Sequence, residues 1–203
     1  PIVAQLEGAD CNHQIGPSVR QGIWISMLLA LLSMLLLPYL SNLLLWMDYE
    51  SEVVGITDGY LKAVIWGFPA AYAFLAIRHS LDGLGITRPC MYLTLLGLAV
   101  NIVGNYTLIF GNFGFPKMGA VGAGWTTTIA HWVILIGALI YLQSSQRSST
   151  IRFLSRFDWP IWSYWREILR IGIPSGLSSG AETFMFTVVA LMMGKFGVTA
   201  LAA

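Results

Sequence analysis

Five stretches of this chain are each long and apolar enough to cross a lipid bilayer, and that recurrence narrows the possible folds more than any other feature. A spanning helix needs about 20 mostly apolar residues, each rising about 1.5 Å. The stretches fall at residues 21–47, 60–77, 90–111, 122–142 and 169–193, the first containing Met34-Leu35-Leu36-Leu37. Residues Pro1 to Leu6 read as the tail of an earlier helix. Only 10% of the 203 residues are charged and 56% are hydrophobic, against about 25% charged in an ordinary soluble domain. The expected fold class is therefore all-α, a polytopic helical protein with the lipid bilayer as its solvent. The net charge of +1 comes from dispersed basic residues, which excludes a nucleic-acid patch. Cys11 and Cys90 have no metal-type spacing, fall near helix ends on one side of the membrane, and are expected to be free thiols. The chain opens at Pro1-Ile2-Val3-Ala4 and closes at Leu201-Ala202-Ala203, and a fragment of a longer protein is expected.

Loop charge sets the orientation. Arg20, Arg78, Arg88, Arg147, Arg152, Arg156, Arg166 and Arg170 gather on one side. Lys62, Lys117 and Lys195, with the acids Asp48, Glu50, Glu52 and Asp58, gather on the other. Eight cations against three place the arginine side in the cytoplasm, and the five spans then alternate in direction. The longest loop, 143–166, begins polar and turns aromatic, with Trp159, Trp162, Tyr164 and Trp165. Asp158 is suited to cap a helix opening at Trp159-Pro160. A short interfacial helix leading into the fifth span is expected there, either as a linker between bundles or as a plain amphipathic connector.

Polar residues inside spans carry the functional information, because lipid penalises them. Glu182 lies near the middle of the fifth span, and a carboxylate there costs about 3 kcal/mol even on the mild insertion scale. At 100° per residue Ser175, Ser178, Ser179 and Glu182 share one face. Burial of Glu182 would let it exchange a proton or bind a cation; the plain alternative is a structural hydrogen bond. Asn101 and Asn105 lie four apart in the third span, with Thr94 and Gly97 on the same face. They either bond across helices as glue or line a cavity. Asp82 belongs to the turn between the second and third spans and is spaced to pair with Arg78. Pro38, Pro69 and Pro174 sit within or at the start of spans, where proline kinks passive and moving helices alike. Gly119, Gly122 and Gly124 suggest close packing of the fourth span, and His131 reads as a packed, hydrogen-bonded histidine.

The run Arg78-His79-Ser80-Leu81-Asp82-Gly83-Leu84-Gly85-Ile86-Thr87-Arg88-Pro89 resembles the multidrug and toxic compound extrusion (MATE) transporters. So do Asn101-Ile102-Val103-Gly104-Asn105, Phe110-Gly111-Asn112-Phe113-Gly114 and Gly119-Ala120-Val121-Gly122-Ala123-Gly124. Ile171-Gly172-Ile173-Pro174 followed by Glu182 resembles the start of that family's second half. Asn105 and Glu182 match the NorM-like branch, while Gly104 and Thr107 depart from its bulkier apolar residues. The resemblance implies a twelve-helix protein of two six-helix bundles. Residues 1–142 would belong to the first bundle, 143–165 to the linker and 166–203 to the start of the second.

It further implies a protein, monomeric when complete, that is no enzyme and needs no cofactor. Such a protein sits in the bacterial inner membrane and exports cationic or amphipathic drugs against inward Na⁺ or H⁺. On that reading Glu182 is the coupling carboxylate and a possible Na⁺ ligand. Asn101, Asn105, Ser178 and Ser179 line the cavity, and Asp82, Pro38, Pro69 and Pro174 are structural or gating residues. A lipid-linked saccharide flippase would want basic residues within the spans, which are nearly absent. A membrane enzyme would want a cluster of acids, bases or metal ligands at one depth.

Overall fold

The computed structural model describes residues 2–46, 51–144 and 158–194. Asp48, Glu50, Arg147, Arg152, Arg156, Lys195 and most of the expected linker lie outside the described residues. Among those described, every regular element is helical. In order they are α1 (Ile2–Gly8), α2 (Asn12–Leu36), α3 (Tyr39–Trp46), α4 (Ser51–Val64), α5 (Phe68–Gly83), α6 (Arg88–Leu108), α7 (Gly119–Ser144) and α8 (Trp162–Gly194). Short 3₁₀ turns occupy Ile65–Gly67 and Asn112–Gly114. The chain divides into two compact units, Pro1–Pro160 and Ile161–Ala203.

Four helical segments are long and apolar enough to span a membrane: His13–Asn42, Ser51–Gly83, Arg88–Leu108 and Gly119–Ser144. The expected fifth span is present as α8, whose 33 residues are ample in length. Two boundaries also move. The first span begins earlier than residue 21. The second begins at Ser51 rather than 60, taking Asp58 and Lys62 into the helix, where they pair at 2.6 Å one turn apart. The Gly55–Gly59 stretch looks like a loop by propensity. Packing of Gly59, Tyr60 and Ala63 against α7 draws it into a helix instead, since tertiary burial overrides weak intrinsic preference.

Turns at the ends of the spans are closed by backbone geometry. Beyond α1, Cys11 N–H bonds the Leu6 carbonyl and Asp10 N–H bonds that of Glu7, with Asp10 left-handed at φ 55°. Beyond α5, Ile86 N–H bonds Leu81 and Gly85 N–H bonds Asp82, with Gly85 at φ 70°. Both are Schellman closures, which satisfy carbonyls that a helix end would leave orphaned. Asp82 thus contributes its backbone to the turn. Its side chain stands 3.8 Å from Arg78 at an exposed position.

Helix directions follow from the facing pairs. Leu93 meets Gly137, Gly97 meets Ile134, Gly104 meets Thr126 and Leu108 meets Gly122, so α6 and α7 run antiparallel. Gly59 meets Val121, Gly124 meets Ala63 and Gly67 meets Thr128, so the second and fourth spans run parallel. That alternation is the one the charge pattern predicts. The core gathers Ile15, Val19, Phe74, Ile77, Leu81, Cys90, Leu135 and Ala138 from α2, α5, α6 and α7. Both cysteines are free. The outer faces carry Leu28, Leu32, Leu35, Leu95, Leu98 and Ile102, all exposed, an apolar surface far larger than water tolerates.

The helix expected to open at Trp159-Pro160 starts three residues later and runs straight into the fifth span. Residues 158–161 are non-helical, α8 starts at Trp162, and it continues unbroken to Gly194. Asp158 is no cap for that expected helix: its carboxylate accepts from Arg20 Nε at 2.6 Å, and Arg20 Nη2 approaches the same oxygen. The Arg20 guanidinium adds the attraction of a full positive charge, which neutral backbone amides do not offer.

Candidate functional site

The polar groups on α6 turn toward each other. Asn105 Nδ2 donates to Asn101 Oδ1 at 2.9 Å, a bond along one helix at the i, i+4 spacing. Asn105 Oδ1 is buried with no hydrogen-bond partner. Thr94 likewise bonds within its own helix, to the Cys90 carbonyl at 2.8 Å. Gly97 faces α7, where it accommodates Ile134. A groove of about 440 Å³ lies at the α5–α6 turn, lined by Arg78, Asp82, Thr87, Cys90, Met91, Thr94 and Leu95.

A second polar seam, which the sequence reading missed, surrounds the 3₁₀ turn in the middle of the second span. Pro69 has no N–H to bond the Ile65 carbonyl, and its ring crowds that oxygen. The backbone tightens, and Phe68 N–H takes the Ile65 carbonyl in a shorter 3₁₀ bond. Tightening leaves neighbouring carbonyls in want of donors, which α7 supplies. Thr128 Oγ1 donates to the Ala63 carbonyl at 2.8 Å and lies 3.4 Å from that of Val64. Trp132 Nε1 donates to the Trp66 carbonyl at 3.0 Å. His131 packs against Gly67, but its Nδ1 is buried without a partner, so the expected hydrogen bond of that nitrogen is missing. Thr128, His131 and Trp132 alone gave no motif; only Pro69 hinted that a donor would be needed nearby.

Pro38 breaks the first span in the same way. α2 stops at Leu36, α3 resumes at Tyr39, and Ser41 Oγ donates to the Pro38 carbonyl at 2.8 Å. Pro174 lies inside α8 without interrupting it.

α8 carries Ser178, Ser179 and Glu182 on one face. It is the single described helix of its unit, and residues 172–186 are exposed throughout. Glu182 is therefore exposed here rather than buried as expected, because nothing described in that unit packs upon it. Thr183 Oγ1 donates to the Ser179 carbonyl at 2.9 Å. Among the described residues no three of His, Cys, Asp and Glu converge as a metal cage.

Antiparallel apolar helices of membrane-spanning length, with polar side chains at helix breaks and along α6 and α8, define a multi-pass helical membrane protein. The chain belongs to the MatE family, whose model matches residues 1–107. It is 38% identical to the multidrug resistance protein PmpM of Pseudomonas aeruginosa, over 95% of this chain and 40% of that protein. It is 34% identical to the multidrug resistance protein NorM of Vibrio cholerae, over 100% of this chain and 44% of that protein. Its fold is similar to the crystal structure of the eukaryotic MATE transporter AtDTX14, with a TM-score of 0.81 at 21% identity, across 95% of this chain and 42% of that one. The chain spans about two fifths of the length of the curated relatives it matches.

Proposed function

We propose that the complete protein is a monomeric multidrug exporter of the bacterial inner membrane. It expels cationic or amphipathic drugs in exchange for inward-moving Na⁺ or H⁺. The observation that carries this reading is the similarity, along nearly all of the chain, to proteins named for multidrug resistance. The Glu182 carboxylate, on a face of α8 that also carries Ser178 and Ser179, supplies the chemistry. Once further helices cover that face, a carboxylate is costly to leave ionised unless a cation or a cationic drug neutralises it. Coupling ion and drug then compete for one charge, and each lowers the affinity of the other by the same factor. Asn101 and Asn105 contribute an uncharged polar wall. The protein transports and catalyses no covalent step, and nucleic acid has no part.

The test is efflux of a fluorescent cationic dye from pump-deficient bacteria expressing the complete gene. Imposing and collapsing Na⁺ and H⁺ gradients separately identifies the coupling ion. Glu182→Gln is expected to reduce gradient-driven efflux to the level of cells without the gene while leaving membrane insertion intact. Wild-type export by that variant would refute the coupling role. Accumulation of a lipid-linked sugar in place of dye export would favour a flippase.

A further inference from the structure

The groove at the α5–α6 turn has no part in the exchange scheme, yet its polarity is ordered. α5 ends at Gly83 and α6 starts at Arg88, both on the arginine-rich side that loop charge places in the cytoplasm. The 21 residues of α6 span about 31 Å, the thickness of the hydrocarbon layer, so its start sits at the headgroup boundary. Arg78 lies about 7 Å back along α5 from Gly83, and Asp82 lies one turn nearer water. On α6, Thr87 stands at the helix start, and Met91 and Leu95 follow at four-residue steps on one face. Thr87 makes no side-chain cap bond to its own helix, and Met91 and Leu95 are both exposed. All five residues line the same groove of about 440 Å³. Its mouth is polar, its inner end is apolar, and a cation stands one turn deeper than an anion. The Arg78–Asp82 pair does not account for this arrangement. The two approach to 3.8 Å, outside hydrogen-bond reach, and their side chains stay open at 45% and 36% exposed. An exposed pair of that kind adds little stability. A guanidinium just inside the headgroup boundary, beside exposed apolar side chains, favours an anion at its own depth.

We propose that this groove holds one phospholipid of the cytoplasmic leaflet, with a phosphoethanolamine headgroup. Its phosphate sits at Arg78, its ammonium sits one turn outward at Asp82, and the first methylenes of an acyl chain run along Met91 and Leu95. Protein and lipid then carry their charges in opposite order. In the protein the deeper charge is positive, and in this lipid the deeper charge is the phosphate. That complementarity selects the occupant. A phosphocholine headgroup offers the Asp82 carboxylate no N–H. A phosphoglycerol headgroup leaves that carboxylate facing a phosphate with nothing between them. A soluble phosphate leaves the apolar half of the groove unused. The inference goes beyond the antiport reading and does not rest on it.

Native mass spectrometry of the complete protein tests the site. The protein is delipidated in detergent and titrated with dioleoyl phosphatidylethanolamine, phosphatidylcholine or phosphatidylglycerol, with O-phosphoethanolamine as the headgroup alone. The first phosphatidylethanolamine is expected to bind about fivefold more tightly than either other lipid, the scale of one ion pair at a half-exposed position. Asp82→Asn should erase that preference and leave phosphatidylcholine binding as it was. Arg78→Gln should weaken all three lipids about fivefold. The exchanged pair, Arg78→Asp with Asp82→Arg, keeps an ion pair one turn apart and so guards the fold, but it reverses the order of charge. It should bind phosphatidylethanolamine no better than phosphatidylcholine. A preference that survives the exchange, or that the wild type lacks, would overturn the site. Headgroup alone binding as tightly as the whole lipid would replace the lipid by a soluble ligand and equally overturn it. A photoreactive benzoylphenylalanine in place of Met91, activated in native membranes, reports what fills the groove. A phospholipid adduct supports the proposal, and a crosslink within the protein shows the groove covered by other helices and ends it.

Discussion

At Gly122 an added Cβ would lie 2.6 Å from the Leu108 carbonyl oxygen and 2.7 Å from its carbon. At Gly97 it would lie 2.2 Å from the Ile134 Cδ1. The second figure is the smaller, yet the obstacle is the tip of a side chain that can change rotamer, whereas backbone at Leu108 cannot yield without moving α6. Gly122→Ala should therefore destabilise the protein by about 1–3 kcal/mol, the usual range for overpacking, and Gly97→Ala by less. Thermal unfolding in detergent, followed by fluorescence-detected size exclusion, ranks the two. The sequence showed that glycines cluster at the start of α7, and the spacing suggested close packing. It did not separate Gly119, which turns the chain at φ 56° with open space beside it, from Gly122 and Gly124, which meet backbone. Asn101 and Asn105 were legible as unusual residues for a span. Their pairing along α6 was not, because an amide four residues from another has the same spacing whether it looks along the helix or across it.

A prolyl break in a span costs backbone hydrogen bonds that lipid cannot replace, and here a neighbouring helix covers the cost. Thr128→Val keeps the shape of the side chain but strips the donor from the Ala63 carbonyl. The expected loss is about 0.5–1.5 kcal/mol, in line with interhelical hydrogen bonds measured in membranes. Pro69→Ala should restore an α-helical bond to the Ile65 carbonyl and make Thr128→Val nearly silent in that background. A double-mutant cycle on unfolding midpoints reads the coupling, and additive effects would contradict it. Pro69 was legible as a break. Its partners were not, since Thr128 and Trp132 lie more than 60 residues away on another helix. Asp158 illustrates the same blindness: a short-range rule assigned it to a helix cap, and a long-range arginine claimed it.

The alternating directions of the second, third and fourth spans place the α5–α6 turn and the α6–α7 loop on opposite faces of the membrane. A cysteine at Arg88 should react with an impermeant maleimide only after the cells are opened, and one at Phe113, which is 80% exposed, should react in intact cells. Labelling of both from one side would break the topology. Alternation was legible because eight arginines and three lysines were sorted by loop; the start of the second span was not, because its first turns look like a turn-rich loop until α7 is packed against them. The α6–α7 loop has a consequence for biogenesis. Met118 N–H bonds the Leu108 carbonyl at 2.9 Å, and Gly119 N–H reaches that of Ile109 at 3.4 Å. The last turn of one span is thereby sealed by the first residues of the next, across only ten positions. Such near-neighbour closure is quick and needs nothing from distant parts of the chain. These two spans can leave the insertion machinery already zipped as one hairpin, a ready surface on which the spans synthesised before and after them assemble.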